Sequence, residues 1–185
     1  MNTSFPLGLA SLQREAAAGR RLPPVEKWNP AYCGEIDMRI ARDGTWFHQG
    51  SPIGRRELVR LFSTILRKDA DGFHLVTPVE KMRITVEDAP FIAVLMDAEG
   101  EGRDQVLRFT TNVGDEVVAD TANPIRVETD PLTQTPAPYV HVRKGLEARI
   151  ARAVFYQMAD LAVPGAGGEL GVWSSGVFFP IGRPE

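Results

Sequence analysis

Ile36, Met38 and Ile40 alternate with Asp37 and Arg39, the two-residue period of a strand with one buried face. Asp43-Gly44 follows, then Thr45, Trp46 and Phe47. A two-residue turn signal between strand-prone runs predicts a hairpin over 36–48. The period then lengthens. Leu58, Leu61, Phe62, Ile65 and Leu66 recur at three- and four-residue spacing, and Arg55, Arg56, Arg60, Arg67 and Lys68 fall mostly outside that stripe. This predicts an amphipathic helix over 55–68. Asp71-Gly72 marks a turn, and the apolar run after it a strand over 73–76. Further strands are expected over 82–86 and 91–96, with Pro90 in the turn between them, and over 106–111 and 116–119.

Pro124, Pro131, Pro136 and Pro138 make 123–138 a loop-rich stretch with one short strand at 125–127. A strand is expected over 139–142. Leu146, Ile150, Ala153, Val154, Met158 and Leu161 then predict a second helix over 145–162. Two strands over 171–174 and 177–180 close the chain. At the other end, Ser4 and Gly19 bracket a short helix over 4–18, and Pro23, Pro24 and Pro30 favour an extended path. The pattern gives an α+β protein: an arm over 1–24, an N-terminal α+β domain over 25–82, and a C-terminal α+β domain over 83–185 with a barrel-like sheet and a long helix. An internal echo links the halves. His48 and Phe62 stand fourteen positions apart, as do His141 and Phe155, with Leu61 matching Val154 and Ile65 matching Met158. Each half reads as a strand hairpin, a helix and a further strand, which suggests duplication.

Composition narrows the function classes. With 185 residues, 43% of them hydrophobic, the chain can build a core without disulfides or metal. Its net charge of −3 offers no global field for nucleic acid or an anionic membrane. Arginine outnumbers lysine 17 to 4, which supplies planar forks for phosphate or carboxylate. One cysteine, Cys33, and three histidines exclude a cysteine-rich zinc site. No apolar run reaches the roughly 20 residues of a membrane helix, and the N-terminus lacks the pattern of a secretory signal. A cytoplasmic protein is expected.

Candidate chemistry is sparse. Gly165 to Gly171 follows a helix and lacks the Gly-Lys-Ser/Thr ending of a phosphate loop. Trp46 reads either as a core residue behind a turn or as a ring platform flanked by Arg39 and His48. Gln49 to Arg56 reads as an ordinary helix start capped by Ser51 or as an anion site with Arg55 and Arg56 adding charge. Thr77-Pro78-Val79-Glu80-Lys81 is a surface turn with a weak ion pair or a polar recognition loop. Arg108, Thr110, Thr111 and Asn112 gather at a strand end. No nucleophile elbow or zinc-protease motif is present, so no catalytic or metal-binding residues are assigned and no cofactor is named.

The segments Cys33-Gly34, Asp43-Gly44-Thr45-Trp46, Gly50-Ser51-Pro52-Ile53, Thr77-Pro78-Val79-Glu80-Lys81, Phe109-Thr110-Thr111-Asn112, Tyr139-Val140-His141-Val142-Arg143 and Gly171-Val172-Trp173-Ser174-Ser175-Gly176 resemble, in that order, the domain of unknown function 1285 family. The resemblance spans about 25–182. It implies a bacterial protein with two domains, a duplicated core and a C-terminal half superficially like a pleckstrin-homology fold. It also implies a nucleotide-like ligand between the domains and a role in signal transduction, and it carries no catalytic residues. On this basis the expected site comprises Arg39, Trp46, His48, Thr77, Glu80, Lys81, Arg108, Asn112 and Arg143. The cations would meet phosphate or carboxylate, Trp46 would stack on a ring, and Glu80 and Asn112 would read polar edges. The expected partner is a nucleotide-like or anionic small molecule, with a protein partner as a further option. Two other readings stand beside it: a hydrolase of phosphorylated or acyl substrates built on Asp43, Glu80 and His48, and a protein-interaction adaptor.

Overall fold

The structure, a computed structural model, describes residues 22–183. It divides between Glu87 and Asp88 into two units.

In the first unit, strands β1 (Tyr32–Ile40), β2 (Trp46–His48) and β3 (Ser51–Pro52) form a meander. Helix α1 (Arg56–Thr64) follows, and then a second meander, β4 (Leu66–Asp69), β5 (Gly72–Val76) and β6 (Lys81–Val86). One sheet results, in the order β3-β2-β1-β6-β5-β4. Its pairs are antiparallel except β1 with β6, which run parallel. β6 therefore completes the first sheet, and the first unit extends beyond the 82/83 boundary expected from sequence. The 36–48 hairpin is present. Gly44 adopts φ +86°, and the Asp43 carboxylate accepts the Thr45 N–H at 2.9 Å.

The first helix ends earlier than expected. Ser63 and Thr64 donate their hydroxyls to the Arg60 and Leu61 carbonyls at 2.6 Å, competing with the helical ladder in its last turn. Leu66 then fits a strand as well as a helical stripe, and the turn at Asp71-Gly72 recruits 66–69 into a hairpin with β5. Above the sheet, Trp46 stacks on Phe62, ring centres 6.0 Å apart and planes 16° from parallel.

The second unit repeats the scheme. β7 (Phe91–Glu99), β8 (Val106–Thr111) and β9 (Glu116–Val118) form one meander, and β10 (Ile125–Thr129), β11 (Pro136–Arg143) and β12 (Leu146–Ile150) the other. The sheet order is β10-β11-β12-β7-β8-β9, with β12 parallel to β7. Helix α2 (Arg152–Asp160) and a small sheet of β13 (Val163–Pro164), β14 (Leu170–Ser174) and β15 (Val177–Gly182) follow. Two expectations are corrected. Residues 146–150 are a strand, because Leu146, Ala148 and Ile150 alternate with half-exposed Glu147 and Arg149, and Lys144 and Gly145, at φ +46° and +77°, turn the chain tightly after β11. The proline-rich 123–138 segment also contributes more strand than expected, with Pro136 and Pro138 opposite Thr129 and Val127 in register. Within this unit, buried Ser174 donates to the Ala119 carbonyl at 2.6 Å and accepts the Leu107 N–H at 2.9 Å, which ties β14 to the larger sheet.

The duplication lies in the sheets. β1 to β6 correspond in order and direction to β7 to β12. The helices occupy different places: α1 joins the two meanders of its unit, whereas α2 follows the second meander. His48 lies on β2 and His141 on β11, the counterpart of β5, so the residue pairs of the echo do not fall on equivalent strands. The helix expected over 4–18 lies outside the described residues. Among the described residues, no helix is long and apolar enough to cross a membrane.

Candidate functional site

Alternation along β5 and β6 gives the first sheet two chemically distinct faces. Leu75 pairs with Leu66 on one side and Met82 on the other, while His74 pairs with Arg67 and Arg83. The first row faces α1, and the second forms an ionic face.

On the α1 side lies an apolar pocket. Ile36 and Met38 of β1, Leu75 and Met82 line the sheet side, and Phe62 and Ile65 the helix side. Thr77 and Glu80, in the turn after β5, complete it. It holds about 330 Å³ of empty space including its mouth, of which only about 10 Å³ admits the centre of a water molecule. The turn is built by Thr77, whose hydroxyl oxygen accepts the Val79 and Glu80 N–H groups at 3.3 and 3.0 Å while its own N–H donates to the Glu80 carbonyl. This geometry holds Glu80 over the pocket. Glu80 Oε2 is buried and has no hydrogen-bond partner.

On the opposite face, His74 is fully buried. Its Nδ1 lies 3.6 Å from Asp69 Oδ2 and its Nε2 3.6 Å from Asp71 Oδ2, beyond hydrogen-bond reach. Arg67 grips Asp69 with two parallel bonds of 2.8 and 3.0 Å and also donates to the Val25 and Trp28 carbonyls. Lys81 Nζ is 2.6 Å from Asp69 Oδ2, and Arg83 holds Asp71 Oδ2 at 2.8 Å. The Arg67 guanidinium, followed by Lys81, keeps the Asp69 carboxyl at about 2, well below the ordinary carboxylate value. Burial pushes His74 below the usual histidine range. Asp69, Asp71 and His74 each offer an atom within 4.8 Å of the others, a spacing that would suit a cation. The oxygens facing the ring are already held by Lys81 and Arg83, however, and three cations stand against two carboxylates. A divalent ion would have to displace those partners, so the cluster is an ion-pair network and not a metal site.

The residues expected from sequence distribute as follows. Thr77 and Glu80 meet in the pocket. His48 lies opposite Met38 in register on the same face. Trp46 is 1% exposed against Phe62 and gives no platform to a ligand. Lys81 and Arg39 lie on the ionic face: Arg39 covers the Phe47 ring at 4.3 Å and pairs with Glu87 at 2.6 Å. In the second unit, Asn112 caps β7, accepting the Ile92 N–H on Oδ1 and donating its own N–H to the Ile92 carbonyl. Arg143 pairs with Asp115 and covers the Phe91 ring at 5.0 Å. Arg108 is half-buried between Asp97 and Val118. Asp43 is engaged in its turn, where the Thr45 N–H holds its carboxyl below the usual range. Asp69, Asp71 and His74 were not expected; their signal was an Asp-x-Asp-x-x-His spacing on a predicted turn and strand. Also unforeseen is a network in the second unit, in which Tyr139 donates to Asp88 at 2.6 Å and Arg149 bonds both.

No curated protein matches the chain. A solved DUF1285 family protein from Silicibacter pomeroyi is 56% identical, with a TM-score of 0.86, over 93% of this chain and 94% of that one. A second, from Shewanella baltica, is 26% identical with a TM-score of 0.50, over 66% of this chain and 90% of that one. The N-terminal domain of unknown function DUF1285 matches residues 23–89 and its C-terminal counterpart 90–181. Together these matches span both sheets, and the protein belongs to the DUF1285 family.

Proposed function

We propose that the protein binds a small molecule and that its first unit contributes the α1-side pocket. One observation carries this reading: a carboxylate oxygen of Glu80, buried and unpartnered, stands over walls made of Ile36, Met38, Phe62, Leu75 and Met82. A buried acceptor without a donor costs on the order of 1–3 kcal/mol, and more when charged. A ligand that supplies an N–H recovers that cost. The ligand that fits is compact, flat and largely apolar, with at least one N–H donor, as in the base of a nucleotide-like molecule. The carboxylate disfavours an anionic group at this end of the ligand. The pocket is nearly closed without ligand, and its two methionines, the most adaptable of apolar side chains, are the walls that would yield. A role in signal transduction, with the second unit as a pleckstrin-homology-like contact module, belongs to the same proposal.

The test is calorimetric titration of the full chain with free nucleobases, nucleosides and nucleotides. Saturable binding is expected, and Glu80→Gln should weaken it by about 10- to 100-fold, the worth of a hydrogen bond to a charged group. If nothing binds at millimolar concentration, or if E80Q binds equally well, the reading is wrong.

A further inference from the structure

We propose that the His74 network is a proton-sensitive clasp: it holds β4, β5 and β6 together while the imidazole is neutral, and it loosens when the ring takes up a proton. The argument starts from placement. His74 occupies the middle strand of its meander, in register with Arg67 on β4 and Arg83 on β6. Its ring has no exposed surface, and neither nitrogen has a hydrogen-bond partner.

The groups facing the ring settle its preferred charge. β4 presents Arg67 and Asp69, the following turn Asp71, β6 Lys81 and Arg83, and β1 the Tyr32 ring, edge-on at 6.2 Å. Glu35 of β1 stands behind Arg83 at 3.8 Å, with most of its side chain in water. The carboxylate oxygens nearest the ring are occupied, Asp69 Oδ2 by Lys81 and Arg67, and Asp71 Oδ2 by Arg83. An added proton must compete with those cations for the same oxygens or remain unpaired in a buried site. Burial is the chief cause favouring the neutral ring; Lys81 and Arg83 act with it and the Asp69 and Asp71 carboxylates against it, and the balance is a lowered proton affinity for His74.

The consequence has a definite sign. Where the folded protein resists protonation and the open chain does not, stability is unaffected above the open chain's value of about 6.5 and declines below it. One such group changes the unfolding constant by at most about tenfold per pH unit.

The test compares wild type with His74→Gln and His74→Phe in the full chain, by denaturant unfolding from pH 7.5 to pH 5, together with proton NMR of the wild-type histidine rings. Wild type should lose stability relative to both variants below about pH 6.5, by up to tenfold in the unfolding constant per unit, and the His74 ring should titrate below the ordinary histidine value. A wild-type-to-variant difference that stays flat or grows on acidification overturns the proposal. If both variants fail to fold, the ring titration decides alone: a midpoint at or above about 6.5 overturns it and a lower one supports it.

Discussion

Asp69 sits where two strands and a turn meet, and its carboxylate satisfies Arg67 and Lys81 at once. Its folded-state value of about 2 against an ordinary 3.8 means that the charged form is favoured by folding. That stability is fully present above about pH 4 and fades as pH falls through about 2. With 22% of the side chain exposed, the shift is worth on the order of 2 kcal/mol at neutral pH. Asp69→Asn should lower unfolding free energy by that amount at pH 7 and by much less near pH 2, as read by urea denaturation at the two values. Sequence showed part of this chemistry. Glu80 and Lys81 stood out because two charged residues follow an apolar strand and a turn proline. His74 did not, because Phe73-His74-Leu75-Val76 reads as one apolar run, and only the sheet reveals that its ring points away from the leucine and toward two arginines. Trp46 shows the reverse case. A polar turn beside an aromatic suggested a ligand platform, whereas the ring serves the core.

Elements were legible where one period was unambiguous. Val106–Thr111 alternates cleanly and is a strand over those six residues. Leu146 and Ile150 satisfy both a four-residue and a two-residue period, so only pairing with β11 and β7 decides between helix and strand. The same ambiguity moved Leu66 from α1 to β4. Packing at this scale gives two predictions. Phe62 is 1% exposed and joins α1 to the sheet through Trp46, so Phe62→Ala should cost about 3–5 kcal/mol by cavity formation, measured by denaturant unfolding. Gly171 on β14 faces a different constraint: a Cβ there would lie 2.5 Å from the Phe179 carbonyl oxygen and 2.5 Å from Phe178 Cζ. The ring can turn aside, but the backbone oxygen cannot move without breaking the β14–β15 ladder. Gly171→Ala should destabilise by about 1–3 kcal/mol or more, seen as a lower melting temperature.

At the scale of the whole molecule, the shared strand order shows how one scheme is specified by two dissimilar sequences. Each unit has two three-stranded meanders joined through a parallel contact of the first and last strands. That contact is the long-range step in each fold, because it must wait for the intervening chain to be laid down. The duplication was legible from sequence, but through a pairing of residues that the strands do not share, since periodicity reports elements and not their neighbours. Every ladder in the second unit closes within it, from β7 through β15. Its core includes Phe91, Leu107, Phe109, Val140, Ile150 and Met158, all nearly or fully buried. Residues 88–183 expressed alone should therefore fold, with a β-rich circular dichroism spectrum and a single cooperative thermal transition. Residues 22–87 have a shorter chain over which to bury a core, and a chain near that length buries only about 60% of its unfolded surface. They should melt at a lower temperature than 88–183, and further still on acidification through the His74 range. A non-cooperative melt of 88–183 would show that its sheets depend on residues outside the unit, contrary to the closed pattern of its hydrogen bonds.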